Sequence, residues 1–543
     1  MAYTTEGIRN LALVGHAGSG KTTLAESLLL DAGIINEAGV VEKGSTVTDF
    51  DELEQKHHHS LTSSVASYDY SDTHINLIDT PGYPDFIGPT LSVLGAVETI
   101  AIVVNAQNGV ESSARRMMEA VKQRNLCAMI VVNRIDAEDV DLEGVYAQIQ
   151  ETFGSECLAV NLPTSNGSDV VDCFFGTEGE SDISSVEEAH TAIVDQTVEL
   201  DDDLMTAYLD QGEVAPEQLH DPFEQAMRER HVVPVCFVSS KTGTGVRAFN
   251  DFICKMLPSP LEGNPPRFVN GSGDEGEGYD VVPDASKPVL GHVFKISFDP
   301  FVGRQAVFRL YQGTIKKDAQ VFLKDSRKGL KVGNLSSCLG KKLFDSSAAI
   351  PGDIMLISKA EGFAYDAVVR DAQDDNDIQL DVAALPTPMV GVSITPKSRG
   401  DEQKIAEVLT KLTESDPCFR IERNAAANET ILRGMGDLHL RMAVERMSDQ
   451  YAVEVETGVP TIPYRETIGK SAEGHAKHKK QTGGAGQFGE VYLRIEPLGR
   501  GEGFDFVNKI VGGVIPAQFI PAIEKGVQSV LEGGAVAGFP MQD

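Results

Sequence analysis

Near-continuous apolar runs punctuate the first half of the chain: IRNLALVG (8–15), HINLID (74–79), TIAIVVNA (99–106), CAMIVVN (127–133) and VVPVCFV (232–238). A strand buried on both faces of a parallel sheet has no polar side to show, so it reads as a run and not as an alternation. Between the runs lie stretches with helical spacing, such as TTLAESLLL (22–30) and ARRMMEAVKQ (114–123). Strand and helix in alternation predict a doubly wound α/β domain over 1–262. The acidic stretch at about 155–230 predicts a helical insert between its last strands.

The pattern then changes. Residues 263–285 are rich in Gly, Pro and acid, which predicts a linker. Residues 286–380 carry short apolar segments broken by turn residues, GHVFKISFD (291–299) and RQAVFRLYQGTI (304–315) among them. These predict a small β-barrel. Residues 386–460 give a strand (388–395), a helix (401–414) with Ile405, Val408, Leu409 and Leu412 on one face, and strands near 418–423 and 429–433. A helix at 436–449 and a strand at 451–456 follow. The order β-α-β-β-α-β predicts a ferredoxin-like α+β module. Residues 466–543 give a Gly-rich basic loop, a strand EVYLRIEPL (490–498) and a helical tract at 518–532, a partial α+β domain. The whole reads as an α/β multidomain chain.

Charge narrows the functional classes. The 543 residues hold 47 Lys and Arg against 81 Asp and Glu, a net charge of −34. That excludes a protein that coats nucleic acid through net charge, though not a local basic patch. No run approaches the ~18 apolar residues of a membrane span, and MAYTTEGIRN has no signal-peptide pattern. The seven cysteines are scattered, with no C-x-x-C. They read as reduced thiols of a cytoplasmic protein, expected to be a monomer.

The chemistry begins at Gly15-His16-Ala17-Gly18-Ser19-Gly20-Lys21-Thr22, which fits G-x-x-x-x-G-K-[ST] between a predicted strand and a predicted helix. Its glycines let backbone N–H groups curl round phosphates at a helix N-terminus. Lys21 would reach the β- and γ-phosphates, the Thr22 hydroxyl would bind Mg²⁺, and Thr23 follows on the same turn. Asp79-Thr80-Pro81-Gly82 ends the second run; its carboxylate can hold Mg²⁺ through water. Asn133-Arg134-Ile135-Asp136 ends a later one. Asp136 offers two acceptors that match the N1–H and N2–H₂ of guanine and not adenine. Ser239-Ser240-Lys241 ends the last strand and would close over the base. Four such loops in order at strand C-termini, where α/β sheets bind ligands, specify a guanine nucleotide site.

With these motifs the chain resembles elongation factor G, a ribosome-dependent translational GTPase. The resemblance runs from about residue 5 to 543. It includes DPFVGR (299–304), RGMGDLHLRMAVERM (433–447), QTGGAGQFGEV (481–491) and GGVIPAQFIPAIEKG (512–526). It implies a GTPase domain, a β-barrel, a ferredoxin-like third domain and a fourth domain that is cut short, with the family's fifth absent. Four departures concern hydrolysis or its surroundings. Tyr83 stands where the family motif D-T-P-G-H has its water-positioning histidine. His57-His58-His59-Ser60 stands where the family reads R-G-I-T, and Ser60 keeps a hydroxyl for the metal. Gly18 replaces an acidic residue of the P-loop, and Arg134 replaces lysine. This places the chain nearer the divergent elongation-factor-G-like branch.

Three adjacent histidines on an extended strand would point to opposite faces, so 57–59 read as a solvated loop and not a metal site. Lys477, Lys479, Lys480, Gly483, Gly484 and Gln487 form a cationic, Gly-rich segment suited to phosphates of RNA. The expected function is that of a ribosome-associated GTPase of the elongation factor G type, meeting ribosomal RNA and proteins, with GTP/GDP and Mg²⁺. Lys21 and Tyr83 are the candidate catalytic groups, with efficiency in question because of Tyr83. The alternatives are a ribosomal-protection-type GTPase and a GTP-gated ribosome-binding module with little turnover.

Overall fold

This computed structural model describes residues 3–543 except 212–213, 215, 265, 272–276, 325–327, 372–377, 382–383, 399, 425–426, 463, 482–483 and 485. It divides into two compact units: Met1–Val390 with Arg399–Arg420 and Gly434–Glu454, and Gly391–Ser398 with Ile421–Arg433 and Val455–Asp543.

In the first unit, strands β1 (Ile8–Gly15), β2 (Ser64–Tyr70), β3 (Thr73–Asp79), β4 (Thr99–Asn105), β5 (Cys127–Asn133), β6 (Cys157–Ala159), β7 (Asn161–Thr164), β8 (Asp169–Asp172) and β9 (Val233–Val238) precede the barrel. Seven of them lie side by side in the order β2-β3-β1-β4-β5-β9-β6, parallel except for β2. Helices α1 (Lys21–Asp31), α2 (Glu52–His57), α3 (Ile87–Val93), α4 (Ser112–Arg124), α5 (Leu142–Phe153), α6 (Val186–Val198), α7 (Asp202–Gln211), α8 (Pro216–Glu229) and α9 (Val246–Met256) accompany them. Successive β1 side chains explain the two layers. Leu11 and Leu13 pack with Leu24 and Leu28 of α1 and with Phe249 and Ile253 of α9. Ala12 and Val14 pack with Met117 and Val121 of α4 and Ile149 of α5. Each large side chain buried this way stabilises the sheet by about 1.5–3 kcal/mol.

The stretch at 155–230 departs from the helical insert that its acidity predicts. It opens with β6, an edge strand of the main sheet, and with the hairpin β7–β8; its helices begin only at Val186. Cys157, Leu158 and Ala159 are apolar enough to extend the sheet against β9, a short signal beside the charge of α6–α8. The linker over 263–285 also carries structure. Phe268–Asn270 pairs with Glu277–Tyr279 and with Ile378–Leu380, while 265 and 272–276 lie outside the described residues.

The barrel is built on the hairpin Leu290–Asp299 and Gly303–Gln312, flanked by Ile354–Ser358, Leu335–Leu339 and Val368–Arg370. It is joined to the nucleotide domain at several points. Leu339 pairs with Ala66 of β2, and the Gly340 N–H donates to the Val65 carbonyl at 3.0 Å. Buried Arg309 bonds Glu98 at 2.6 Å, and Asn10 donates to the same carboxylate at 2.7 Å. Helices α10 (Glu402–Ser415) and α11 (Asp437–Asp449) also belong to this unit. Arg304 of the barrel bonds Glu414 of α10 at 2.7 Å.

The second unit holds a sheet ordered Arg420–Asn424, Glu429–Gly434, Val390–Pro396, Val455–Gly458, followed by the hairpin Ala472–Lys480/Gln487–Ile495 and helix α12 (Ile520–Gly533). Lys477, Lys479 and Lys480 lie on a strand, where a loop was expected. His475 stacks on Tyr492 at 4.0 Å and Lys477 bonds Glu490 at 3.3 Å across the pair. Such cross-strand contacts stabilise a ribbon that composition alone reads as a solvated charge run. Gly484 follows at φ 119°, Gln487 pairs with Lys480, and Gly483 lies outside the described residues.

Glu466 tethers this region. Its carboxylate accepts the backbone N–H groups of Ala535, Val536, Ala537 and Phe539 at 2.9, 2.9, 2.6 and 3.2 Å, which holds it down at about 2. A carboxyl depressed on folding stabilises above its unfolded value of 4.5 and loses that contribution as pH falls through about 2. Glu466→Gln removes the charge and one strong acceptor, so amide exchange at 535–539 should quicken by about tenfold at neutral pH. Unchanged protection by hydrogen exchange would count against the tether.

Candidate nucleotide site

The P-loop is a close-packed turn. A Cβ at Gly15 would lie 2.4 Å from the Val103 carbonyl, and one at Gly20, whose φ is 91°, would lie 2.4 Å from Asn133 Nδ2. Only glycine lets β1 pass into α1 against β4 and β5. Gly18 is exposed at the crest of the turn, and Ser19 is buried with its Oγ unpartnered. His16 Nδ1 lies 3.0 Å from Ser113 Oγ, while Ala17 and Thr23 are half-buried. Lys21 is buried, its Nζ donating to the Gly15 and His16 carbonyls at 3.0 and 2.9 Å. Burial lowers its ammonium to about 8. A cation held on loop carbonyls at a helix N-terminus is poised for phosphate.

Hydroxyls and carboxyls gather beside it. Thr22 Oγ1 donates to Asp79 Oδ2 at 2.7 Å, and Thr48 Oγ1 donates to the same oxygen at 2.8 Å. Ser60 Oγ lies 3.4 Å from Thr22 Oγ1. Buried Asp49 joins them: desolvation and the charge of Asp79 push its carboxyl up, and Ser60 hydrogen-bonds to it. Asp79 is raised by burial too, against the opposing pull of Thr22 and Lys21. Asp79 Oδ1 and Asp49 Oδ2 are buried without a hydrogen-bond partner. Two facing carboxyls with orphaned oxygens fit a hard divalent cation, which takes oxygen ligands and would relieve their repulsion.

Behind this cluster the Thr80 hydroxyl donates to the Leu13 carbonyl at 2.7 Å, and the Pro81 carbonyl accepts from Thr90 at 3.1 Å. Gly82 then touches the P-loop, since a Cβ there would lie 2.5 Å from Lys21 Nζ and 2.6 Å from the Ala17 nitrogen. The backbone of this turn is thus packed directly against the lysine head and the P-loop.

At the other end Asn133 binds three loops together. Its Nδ2 donates to the Ser19 carbonyl at 2.9 Å, and its Oδ1 accepts from the Arg134 and Ser240 N–H groups at 2.8 and 2.9 Å. Ser239 is buried, its Oγ accepting the Thr242 N–H at 3.2 Å, and Lys241 is exposed beside it. Asp136 is half-buried, past the left-handed Arg134 at φ 67°. Arg134 itself is exposed.

The three histidines do not lie on an extended strand. Glu52–His57 is a helix, with an Asp51–Glu54 capping box at its start and left-handed His58 at its end. The turn sends them three ways. His57 Nε2 bonds Glu445 of α11 at 2.9 Å, His58 Nδ1 lies 3.2 Å from the Val41 carbonyl, and His59 meets Tyr83 edge-on with ring centroids 4.8 Å apart. Burial holds His59 below its ordinary pKa. Tyr83 is 39% exposed. Thr48 and Asp49 were not anticipated from sequence; the hydroxyl-acid string Thr46-Val47-Thr48-Asp49 was the available signal.

Known proteins share this organisation. The family described as Elongation factor Tu GTP binding domain matches residues 6–259. Elongation factor G domain 2 matches 288–366, domain III 385–459 and domain IV 460–543. An elongation factor G-like protein of Mycobacterium tuberculosis (strain CDC 1551 / Oshkosh) is 32% identical over 99% of this chain and 79% of its own length. One from Thermotoga maritima is 33% identical with the same coverages. A crystal structure from Thermus thermophilus superposes with a TM-score of 0.85 at 34% identity, over 99% of this chain and 80% of that one. By its nucleotide domain, its barrel and its near-full-length relatives, this chain belongs to the elongation factor G family of translational GTPases.

Proposed function

We propose that the chain binds GTP with Mg²⁺ at this site and hydrolyses it on the ribosome, in the cytoplasm, as a monomer. The observation that carries the reading is the junction at Asn133. One side chain fastens the P-loop, the Arg134 turn and the Ser240 loop; in this reading Asp136 would take the base while the phosphates would lie at Lys21. Thr22 would hold the metal, with Asp79 acting through water and Ser60 and Thr48 beside them. A bound Mg²⁺ neutralises charge on the β- and γ-phosphates. Lys21 would turn from the Gly15 and His16 carbonyls to the phosphates, and the Gly82 N–H would face the γ-phosphate. Ser239, Ser240 and Lys241 would enclose the base. Lys477, Lys479, Lys480, Gly484 and Gln487 would meet ribosomal RNA. Phosphate release measured with and without ribosomes tests the reading, and equal rates would sink ribosome-coupled turnover.

Residue 83 sets the rate in this scheme. A phenol is a poor base but can orient water through its hydroxyl. Positioned proton-transfer groups contribute about 10²–10⁴-fold, so Tyr83→His should raise ribosome-stimulated hydrolysis by at least about tenfold. Single-turnover phosphate release is the measurement. If Tyr83→His and Tyr83→Phe both leave the rate unchanged, residue 83 takes no part.

A further inference from the structure

Of the three histidines, the one whose ring meets Tyr83, the residue after Gly82, is His59. The next residue, Ser60, lies 3.4 Å from the Thr22 hydroxyl. The ring of His59 stands edge-on to Tyr83 at 4.8 Å, with Phe86, itself buried, at 5.9 Å. Its placement is fixed from both sides. The left-handed turn at His58 aims it inward, and Glu54 accepts the Leu61 and Thr62 N–H groups at 2.9 and 3.0 Å. The tautomer follows from its neighbour. Nδ1 lies 3.4 Å from the Ser60 carbonyl, which can only accept, so Nδ1 carries the proton and Nε2 keeps a lone pair. Among the described residues, no hydrogen-bond partner meets that lone pair.

We propose that His59 is a water-positioning residue of GTP hydrolysis that works with Tyr83. This rests on the reading of the site as a GTPase. The attacking water lies between the Tyr83 hydroxyl and His59 Nε2, which accepts one of its hydrogens. The water oxygen forms a bond to the γ-phosphorus as the bridging P–O bond breaks. The electron pair of that bond leaves on GDP, and one water proton ends on inorganic phosphate. His59 takes no proton; it orients.

The test compares the wild-type chain with His59→Ile, His59→Gln, Tyr83→His and the double variant His59→Ile/Tyr83→His. Each is measured for binding of fluorescently labelled GTP and for single-turnover phosphate release on ribosomes. His59→Ile should slow release by at least about tenfold, the lower range for losing a positioned group, with GTP affinity unchanged. His59→Gln, which keeps an acceptor oxygen, should recover part of the rate. In the Tyr83→His background the His59→Ile penalty should vanish, because a histidine at 83 then holds the water unaided. An equal penalty in both backgrounds, no penalty at all, or a loss of GTP affinity with the rate would overturn the proposal, since a structural role gives any of these. Failure of the wild-type chain itself to bind GTP would instead overturn the GTPase reading beneath it.

Discussion

Lys21→Ala is expected to lower GTP affinity by about 10²–10³-fold. Hydrogen bonds to charged groups contribute about 1.5–3 kcal/mol each, and an ammonium between two phosphates makes at least two, so the loss is roughly 3–4 kcal/mol. Lys21 rests on the Gly15 and His16 carbonyls at 3.0 and 2.9 Å, so its donors are already satisfied in a position close to the phosphates. Alanine would strand both carbonyls and leave the phosphates with backbone N–H groups alone. Arginine is no substitute, because a Cβ on Gly82 would already lie 2.5 Å from the lysine nitrogen and the larger head has no room. Titration with fluorescent GTP and GDP decides. An unchanged affinity would show that Gly15–Thr22 is not the phosphate loop.

Asp136→Asn should exchange guanine for xanthine. The Asp136 carboxylate has only acceptors, and guanine shows it two donors, N1–H and N2–H₂. Xanthine replaces the exocyclic amine with a carbonyl, which meets the donor of an asparagine. Leaving one buried polar partner unmatched costs about 1–3 kcal/mol, so two mismatches shift preference by at least about 10²-fold. Asp136 is half-buried beyond the Arg134 turn, while Asn133 carries the scaffolding bonds to the P-loop and the Ser240 loop. Competition of GTP, ATP and xanthosine triphosphate against labelled GDP, in both proteins, is the measurement. Equal competition by ATP in the wild type would remove guanine specificity. Identical preferences in wild type and variant would remove Asp136 from the base.

The nucleotide motifs were legible in the sequence because each is local. A glycine that must pass a neighbouring strand, as at Gly15 and Gly20, and an acid at a strand end, as at Asp79 and Asp136, announce themselves within a few residues. The parallel sheet was legible for the same reason: β1, β4, β5 and β9 are buried throughout and mostly apolar. What hid was made across distance or beneath charge. Thr48 reaches Asp79 from a loop with no periodicity, 31 residues away. The Ala472–Lys480 strand lacks a buried face to mark it, and its pairing with Gln487–Ile495 reveals it. His59 could be placed only by the helix end at His57 and the reversed backbone at His58, neither of which a run of identical residues encodes.

The seam between barrel and nucleotide domain governs how separable the two are. Strand β2 is the outermost strand of the nucleotide sheet, and what covers its free edge is the barrel, through Leu339 against Ala66 and Gly340 on Val65. Cut at the linker, the nucleotide domain would bare that edge, an invitation to pair with other chains. It would also leave Glu98 buried in part without Arg309. In inheritance as in the test tube, therefore, the two form one cassette: a shuffled or grafted nucleotide domain must bring its barrel along.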